Sequence, residues 1–197
     1  MSTDSATVLS MSMSLDGFVA GPNERVDNGL GDGGERLHRW LFPGAEEDGD
    51  FATATARVRG VNRQIIDEFM ATGAVVAGRG TFEPAGDWGG DHHDGVPIWI
   101  LSRNPPPVWA ADWPNVHYVD DLAAAMADAK AAAGDRNVLV HGAGIAQRAL
   151  AAGLLDEIEI HLVPVASPTS TTPSSADRWR PVDHDAMSVV NCRHWVS

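Results

Sequence analysis

Between the apolar runs Val116–Val119 and Asn137–Val140 stands one alanine-rich segment, Leu122–Ala133, with Asp121 placed to cap its start and Gly134 to close it. Such a segment reads as a helix. A strand that leaves through a helix and returns as a strand needs a crossover connection, and crossovers join parallel strands. The same alternation recurs along the chain. Val61, Ile65 and Phe69, with Ile66 and Met70, fall at helical spacing, and Gly73 stands where a C-terminal cap belongs. Ala74–Ala77 and Pro97–Leu101 are short apolar runs of buried-strand type, and Asn137–Val140 is followed by a short helix to Gly153. The pattern predicts one α/β domain over residues 1–197, with a central, mostly parallel sheet and helices on both faces.

The first and last strands of this set carry period-two patterns. Leu9, Met11, Met13 and Leu15 alternate with Ser10, Ser12 and Ser14; Ile158, Ile160 and Leu162 alternate with Glu157, Glu159 and His161. Asp16-Gly17 breaks the first, and the glycine-rich stretch 21–36 reads as loop. Acidic residues 46–50 read as a solvated loop tip or helix start. Pro105-Pro106-Pro107 ends its strand, because proline offers no donor to a ladder. Residues 166–187 break sharply in composition toward Ser, Thr, Pro and Ala, and read as loop or disordered chain. Ser188–Val196 can supply one last strand.

With 27 acidic against 14 basic side chains, the formal charge is −13. That argues against nucleic acid or an anionic membrane as partner. Any anionic ligand must then be held by a local cluster of donors. The single cysteine, Cys192, leaves no internal disulfide, which fits a reducing cytoplasm. No stretch approaches the ~18 apolar residues of a membrane span, and residues 1–14 lack the basic start of a targeting signal.

Against that acidic background two strand ends stand out. Ala74–Ala77 runs into Gly78-Arg79-Gly80-Thr81, where glycines let a ligand approach the backbone and arginine offers a fork of donors suited to phosphate. Val138–Val140 runs through His141 into Gly142-Ala143-Gly144, with Ile145 and Ala146 opening a helix whose N-terminus is suited to an anion. A third strand end, Leu101-Ser102-Arg103, adds a hydroxyl and a second arginine. Ligands of open α/β sheets bind beyond the carboxyl ends of strands. Each turn alone also reads as an unliganded glycine turn; their combination favours a phosphate-bearing cofactor.

Other residues weigh less. His92-His93-Asp94 lacks a third ligand at recognisable spacing, so no metal is expected. There is no G-x-S-x-G elbow. Asp67 and Glu68 offer carboxylates on a helix where a solvent-facing role suits them equally. Trp40, Trp88 and Trp99 read as core or pocket wall.

Ser12-Met13-Ser14-Leu15-Asp16-Gly17-Phe18-Val19-Ala20-Gly21-Pro22-Asn23, Asp32–Trp40, Gly78-Arg79-Gly80-Thr81-Phe82-Glu83 and Gly153–Val165 together resemble the dihydrofolate reductase-like superfamily. More closely, they resemble the reductase domain of the bifunctional riboflavin-biosynthesis deaminase-reductase. The resemblance covers residues 7–165. It implies a dihydrofolate reductase-like three-layer fold and NADPH-dependent hydride transfer to a C=N bond of a pteridine-like or aminopyrimidine compound. It places the cofactor on Gly78, Arg79, Gly80 and Thr81, on Leu101, Ser102 and Arg103, and on Gly142, Ala143, Gly144, Ile145 and Ala146. The loop of Asp16, Gly17, Phe18 and Gly21 would close over the nicotinamide and substrate. The proton donor is unassigned, with Asp67 and a bound water as equal candidates. Relatives are often dimers, so a homodimer is expected.

Two departures stand against the family pattern. Where relatives carry adjacent glycines, residue 143 is alanine. After Val165 the expected glycine-rich segment is replaced by Ala166–Pro173, the kind of break that a frameshift near residue 166 would produce. The competing reading is therefore a cofactor- or ligand-binding protein that has lost a productive substrate site.

Overall fold

The computed structural model describes residues 5–41 and 55–166, together with the backbone of residues 190–195. The acidic 46–50 segment and most of the compositionally unusual 166–187 segment lie outside the described residues.

Among the described residues seven strands form one sheet: β1 (Thr7–Ser14), β2 (Ala74–Gly78), β3 (Ile98–Leu101), β4 (Val116–Val119), β5 (Val138–His141), β6 (Glu157–Val163) and β7 (Val190–Trp195). Their spatial order is β4-β3-β2-β5-β1-β6-β7. The first six are mutually parallel, and β7 runs antiparallel to β6. The weakly patterned end of the chain does supply a strand.

Helices cover both faces. The alternation of side chains along each strand separates two cores. On one face Leu9, Val76, Trp99, Val138 and Val140 pack against α3 (Leu122–Ala133) and α4 (Ala143–Ala151). On the other, Val75, Ala77, Ile98, Ile100 and Leu139 meet Phe82 of the four-residue α2 (Arg79–Phe82) and Phe69 of α1 (Gly60–Met70). The sequence-based boundaries of α3 hold: Asp121 Oδ1 accepts a 2.7 Å hydrogen bond from the Ala124 amide, and Gly134 ends the helix at φ 67°.

Gly73 has a different role from the one its position suggested. The helix α1 closes at Ala71. A Cβ at Gly73 would lie 2.9 Å from Ala133 Cα and carbonyl oxygen, so glycine is required there for close packing against the end of α3.

The two period-two strands also differ from a simple apolar-in arrangement. Glu157, Glu159 and His161 on β6, with Ser12 and Ser14 on β1, are buried, whereas Met11, Ile158 and Ile160 are only partly so. The buried polar layer is internally bonded. Ser10 Oγ lies 2.9 Å from His161 Nε2, and Trp40 Nε1 donates to Ser12 Oγ at 3.0 Å. Trp40 also packs with Leu37, Ile65, Val163 and Val165 in a third apolar cluster.

Candidate functional site

The three strand ends singled out in the sequence lie side by side, because β3, β2 and β5 are consecutive in the sheet. Gly78 is level with Leu101 across β2 and β3, and Ala77 is level with His141 across β2 and β5. Residues more than sixty positions apart thus open onto one edge.

The glycines divide into two kinds. Gly142 is needed for packing, and Gly78 is tightly packed. A Cβ at Gly78 would come within 3.1 Å of Ile145 Cγ1, and one at Gly142 within 2.2 Å of Thr81 Oγ1. Gly142 also sits at φ 105°, where any other residue is strained. The two turns are therefore locked together, Thr81 against Gly142 and Ile145 against Gly78. Gly80 and Gly144 face open space, with nothing within 4 Å of a built Cβ. Those open positions are where a ligand can reach the backbone. The first amides of α4 have no partner within their own helix and lie at the positive end of its dipole.

Side chains divide similarly. Leu101, Ile145 and Ala146 are buried in the core, so they can offer only backbone to a ligand. Ser102 Oγ is engaged in a local turn, donating to the Asn104 carbonyl at 2.9 Å and accepting from its amide. Arg79 is ion-paired with Glu83, one helical turn on, and its Nη1 donates to the Pro105 carbonyl at 3.4 Å. Arg103 is exposed and makes no ion pair among the described residues. In an acidic chain, an arginine left without a carboxylate at this edge is a ready partner for an anion.

The loop after β1 folds back on its own strand end. Ser14 Oγ donates to Asp16 Oδ1 at 2.6 Å and accepts from the Phe18 amide at 2.8 Å, leaving the Phe18 ring half exposed. Gly17 takes φ 88°, and a Cβ on Gly21 would collide with the Asp32 backbone. Ser14 lies on β1, the neighbour of β5, five residues beyond Leu9, which pairs with Val140. Asp67 is elsewhere: its carboxylate, over half exposed, pairs with Arg63 Nη2 at 2.7 Å on the outer side of α1.

One grouping was not legible in the sequence. His92 and His93, from the loop before β3, meet His141 at the end of β5, next to Gly142. His92 Nδ1 is 2.7 Å from His93 Nδ1, and His92 Nε2 is 3.4 Å from His141 Nδ1. Trp88 and Phe69 pack around them. Burial, reinforced by the neighbouring imidazoles, lowers His92 to about 2; burial, with His38 nearby, lowers His141 to about 4. All three rings are neutral at pH 7. Their nitrogens point at one another rather than converge, and among the described residues no group of three or more His, Cys, Asp or Glu is arranged to hold a metal. A cavity of about 190 Å³ adjoins this row between α1 and the sheet, lined in part by Ser10, Glu68, Phe69, Thr72 and Glu159.

The model of the family described as the RibD C-terminal domain matches residues 6–167. The chain belongs to the RibD C-terminal domain family. Among solved structures, a putative riboflavin biosynthesis protein from Shewanella sp. PV-4 is 21% identical with a TM-score of 0.55, covering 82% of this chain and 78% of that one. Dihydrofolate reductase from Enterococcus faecalis, complexed with NADP(H) and RAB-propyl, is 13% identical with a TM-score of 0.50, covering 87% and 79%. None of the curated proteins compared gives a significant match. Family and neighbours agree on a dihydrofolate reductase-like α/β fold of reductase type. One family feature is altered here: Ala143 follows Gly142, and every described peptide bond is trans. No described helix is long and apolar enough to cross a membrane.

Proposed function

We propose that this chain is an NADPH-dependent reductase that transfers a hydride to a C=N bond of a pteridine-like or aminopyrimidine small molecule. The observation that carries this reading is the pair of interlocked turns on adjacent strands. Gly80 and Gly144 open to ligand beside the α4 N-terminus, and Arg103, with no ion pair among the described residues, stands at the next strand end. The NADP(H) held by the Enterococcus faecalis neighbour supports the same cofactor class. The backbone at 78–81 and 142–146 would hold the phosphates, with Ser102 and Arg103 toward a ribose phosphate. Arg79, braced by Glu83, would border the same edge. When bound, the cofactor supplies the hydride; the protein orients it and excludes water. Asp16, Gly17, Phe18 and Gly21 would cover the nicotinamide and substrate.

This reading takes a small-molecule substrate in the cytoplasm, with neither nucleic acid nor membrane as partner, and a homodimer as the working unit. The second reading, a cofactor-binding protein without turnover, is favoured by one observation: Asp67, the carboxylate candidate offered by the sequence, is over half exposed in an ion pair. Fluorescence titration with NADPH and NADH, followed by absorbance at the reduced-nicotinamide band with dihydrofolate or a ribosylaminopyrimidine, separates the two. Oxidation of NADPH by either compound establishes the reductase. Tight NADPH binding with no oxidation would leave the second reading in place.

A further inference from the structure

The row of three histidines has a direction, and its far end fixes it. Thr72 Oγ1 donates its only proton to the Phe69 carbonyl at 2.8 Å. Toward His93 Nε2, at 3.2 Å, that hydroxyl can therefore only accept, and so can the Thr72 carbonyl at 3.3 Å. Two acceptors facing one ring nitrogen place the His93 proton on Nε2 and its lone pair on Nδ1. His92 must then donate from Nδ1 across the 2.7 Å contact, which leaves a lone pair on His92 Nε2. His141 must in turn donate from Nδ1 across 3.4 Å. Each ring carries one proton, in keeping with the neutrality that burial imposes on all three.

His141 Nε2 is thereby left as a lone pair with no hydrogen bond among the described residues. His141 as a whole residue is half-buried. It stands at the carboxyl end of β5, one residue before Gly142 and in register with Ala77 of β2. His38 lies close enough to act on its charge, and Asp91, Asp94 and Arg136 act on His93 at the other end. An imidazole held in this tautomer accepts a hydrogen bond and cannot donate one from Nε2.

We propose that His141 is a specificity-determining residue whose Nε2 accepts a hydrogen bond from a ligand N–H at the β5 turn, with Thr72, His93 and His92 as positioning residues that hold it in the accepting tautomer. The inference rests on the proposed cofactor edge for the place of the ligand, but the tautomer itself does not. The N–H donor has two sources with the same chemistry: the carboxamide of a reduced nicotinamide, or an amino group of a pteridine-like substrate.

The test is long-range ¹H–¹⁵N correlation spectroscopy on the ¹⁵N-labelled full chain at pH 7. The free protein is expected to show His141 protonated at Nδ1 and bare at Nε2. Addition of NADPH should move the Nε2 resonance toward the hydrogen-bonded range, while the 3-acetylpyridine analogue, whose methyl ketone lacks the amide N–H, should leave it in place. A response to dihydrofolate alone assigns the donor to the substrate amine. His141→Phe should weaken whichever ligand responds by about tenfold, the worth of one hydrogen bond. His92→Phe removes the acceptor for Nδ1–H and should let His141 populate the Nε2–H form and bind more weakly. If that variant does not fold, the wild-type spectrum decides alone. A wild-type His141 protonated at Nε2, or an Nε2 resonance that responds to neither ligand, overturns the proposal. A protein that binds no NADPH but shows the expected tautomer and a dihydrofolate response refutes the cofactor assignment without touching this one.

Discussion

Thr81 Oγ1 occupies the position that a side chain on residue 142 would need, 2.2 Å from where a Cβ on Gly142 would lie. The contact joins two turns from adjacent strands into one unit. Gly142→Ala should therefore cost on two counts, the positive φ of 105° and the clash, together about 2–4 kcal/mol. Thr81→Ala relieves only the clash. Denaturant midpoints of the two single variants and the double variant check this. The double variant should be more stable than the sum of the single losses implies, and strict additivity would show that the turns are not coupled.

Arg103 and Arg79 border the same edge but differ in what holds them. Arg103 has no ion-pair partner among the described residues, whereas Arg79 is held by Glu83. Arg103→Ala should weaken NADPH by roughly 10- to 100-fold with little effect on NADH, the size of a charge-assisted contact. Arg79→Ala should also weaken NADPH, but it frees Glu83 and so should disturb NADH binding as well. Equal affinity of the wild type for the two cofactors would remove the phosphate role from both.

Asp156 ties the start of β6 to β1. Its Oδ2 accepts from the Thr7 amide at 2.8 Å, from Thr7 Oγ1 at 2.9 Å and from Lys130 Nζ at 3.0 Å. Burial by itself would raise the Asp156 pKa, but the Thr7 and Lys130 interactions outweigh it and hold it below the usual value. A carboxylate depressed in the folded state stabilises above its unfolded pKa and loses that contribution as pH falls through the folded one. Asp156→Asn should cost about 1 kcal/mol at pH 7, the site being nearly half exposed and screened. Melting curves of both proteins should converge below about pH 4.

The histidine row loses stability in the same direction, over a higher range of pH. A histidine whose folded pKa is lowered contributes fully above the unfolded value near 6.5. The unfolded state takes up its proton first, so stability falls as pH drops below that value. For His141 the loss runs down to about 4, and for His92 down to about 2. Each contributes a slope of at most about 1.4 kcal/mol per pH unit. Chemical denaturation at pH 7.5, 6 and 5 should show the midpoint falling, and His92→Phe should flatten the profile. An unchanged slope in that variant would mean His92 is not buried neutral.

Local periodicity was enough for most of the scaffold. Helix α3, with Asp121 and Gly134 at its ends, and the short strands β2 to β5 depend on capping and on apolar runs that act within a few residues. The glycine turns were legible as candidate ligand sites for the same reason. What the sequence left open depends on neighbours distant in the chain. Gly73 resembled a helix cap, but only the approach of Ala133 shows why glycine is needed. The serines of β1 and the acidic residues and His161 of β6 had the pattern of a polar face, and burial beneath Trp40 and α1 turned that face inward.

His92 and His141 stand 49 positions apart, and no period or spacing links them. Their meeting is decided by the order in which the strands cross the sheet. The sequence by itself determined most of the strands and the longer helices, and which turns could face a phosphate; the short helix Arg79–Phe82 it showed only as a turn. The tertiary structure alone decided that those turns interlock, that Arg79 is held by Glu83 while Arg103 has no ion pair among the described residues, and that a histidine chain ends beside them. The reason is physical: propensity and capping act within one helical turn, whereas contact between strand ends depends on sheet order, set by packing the whole chain at once.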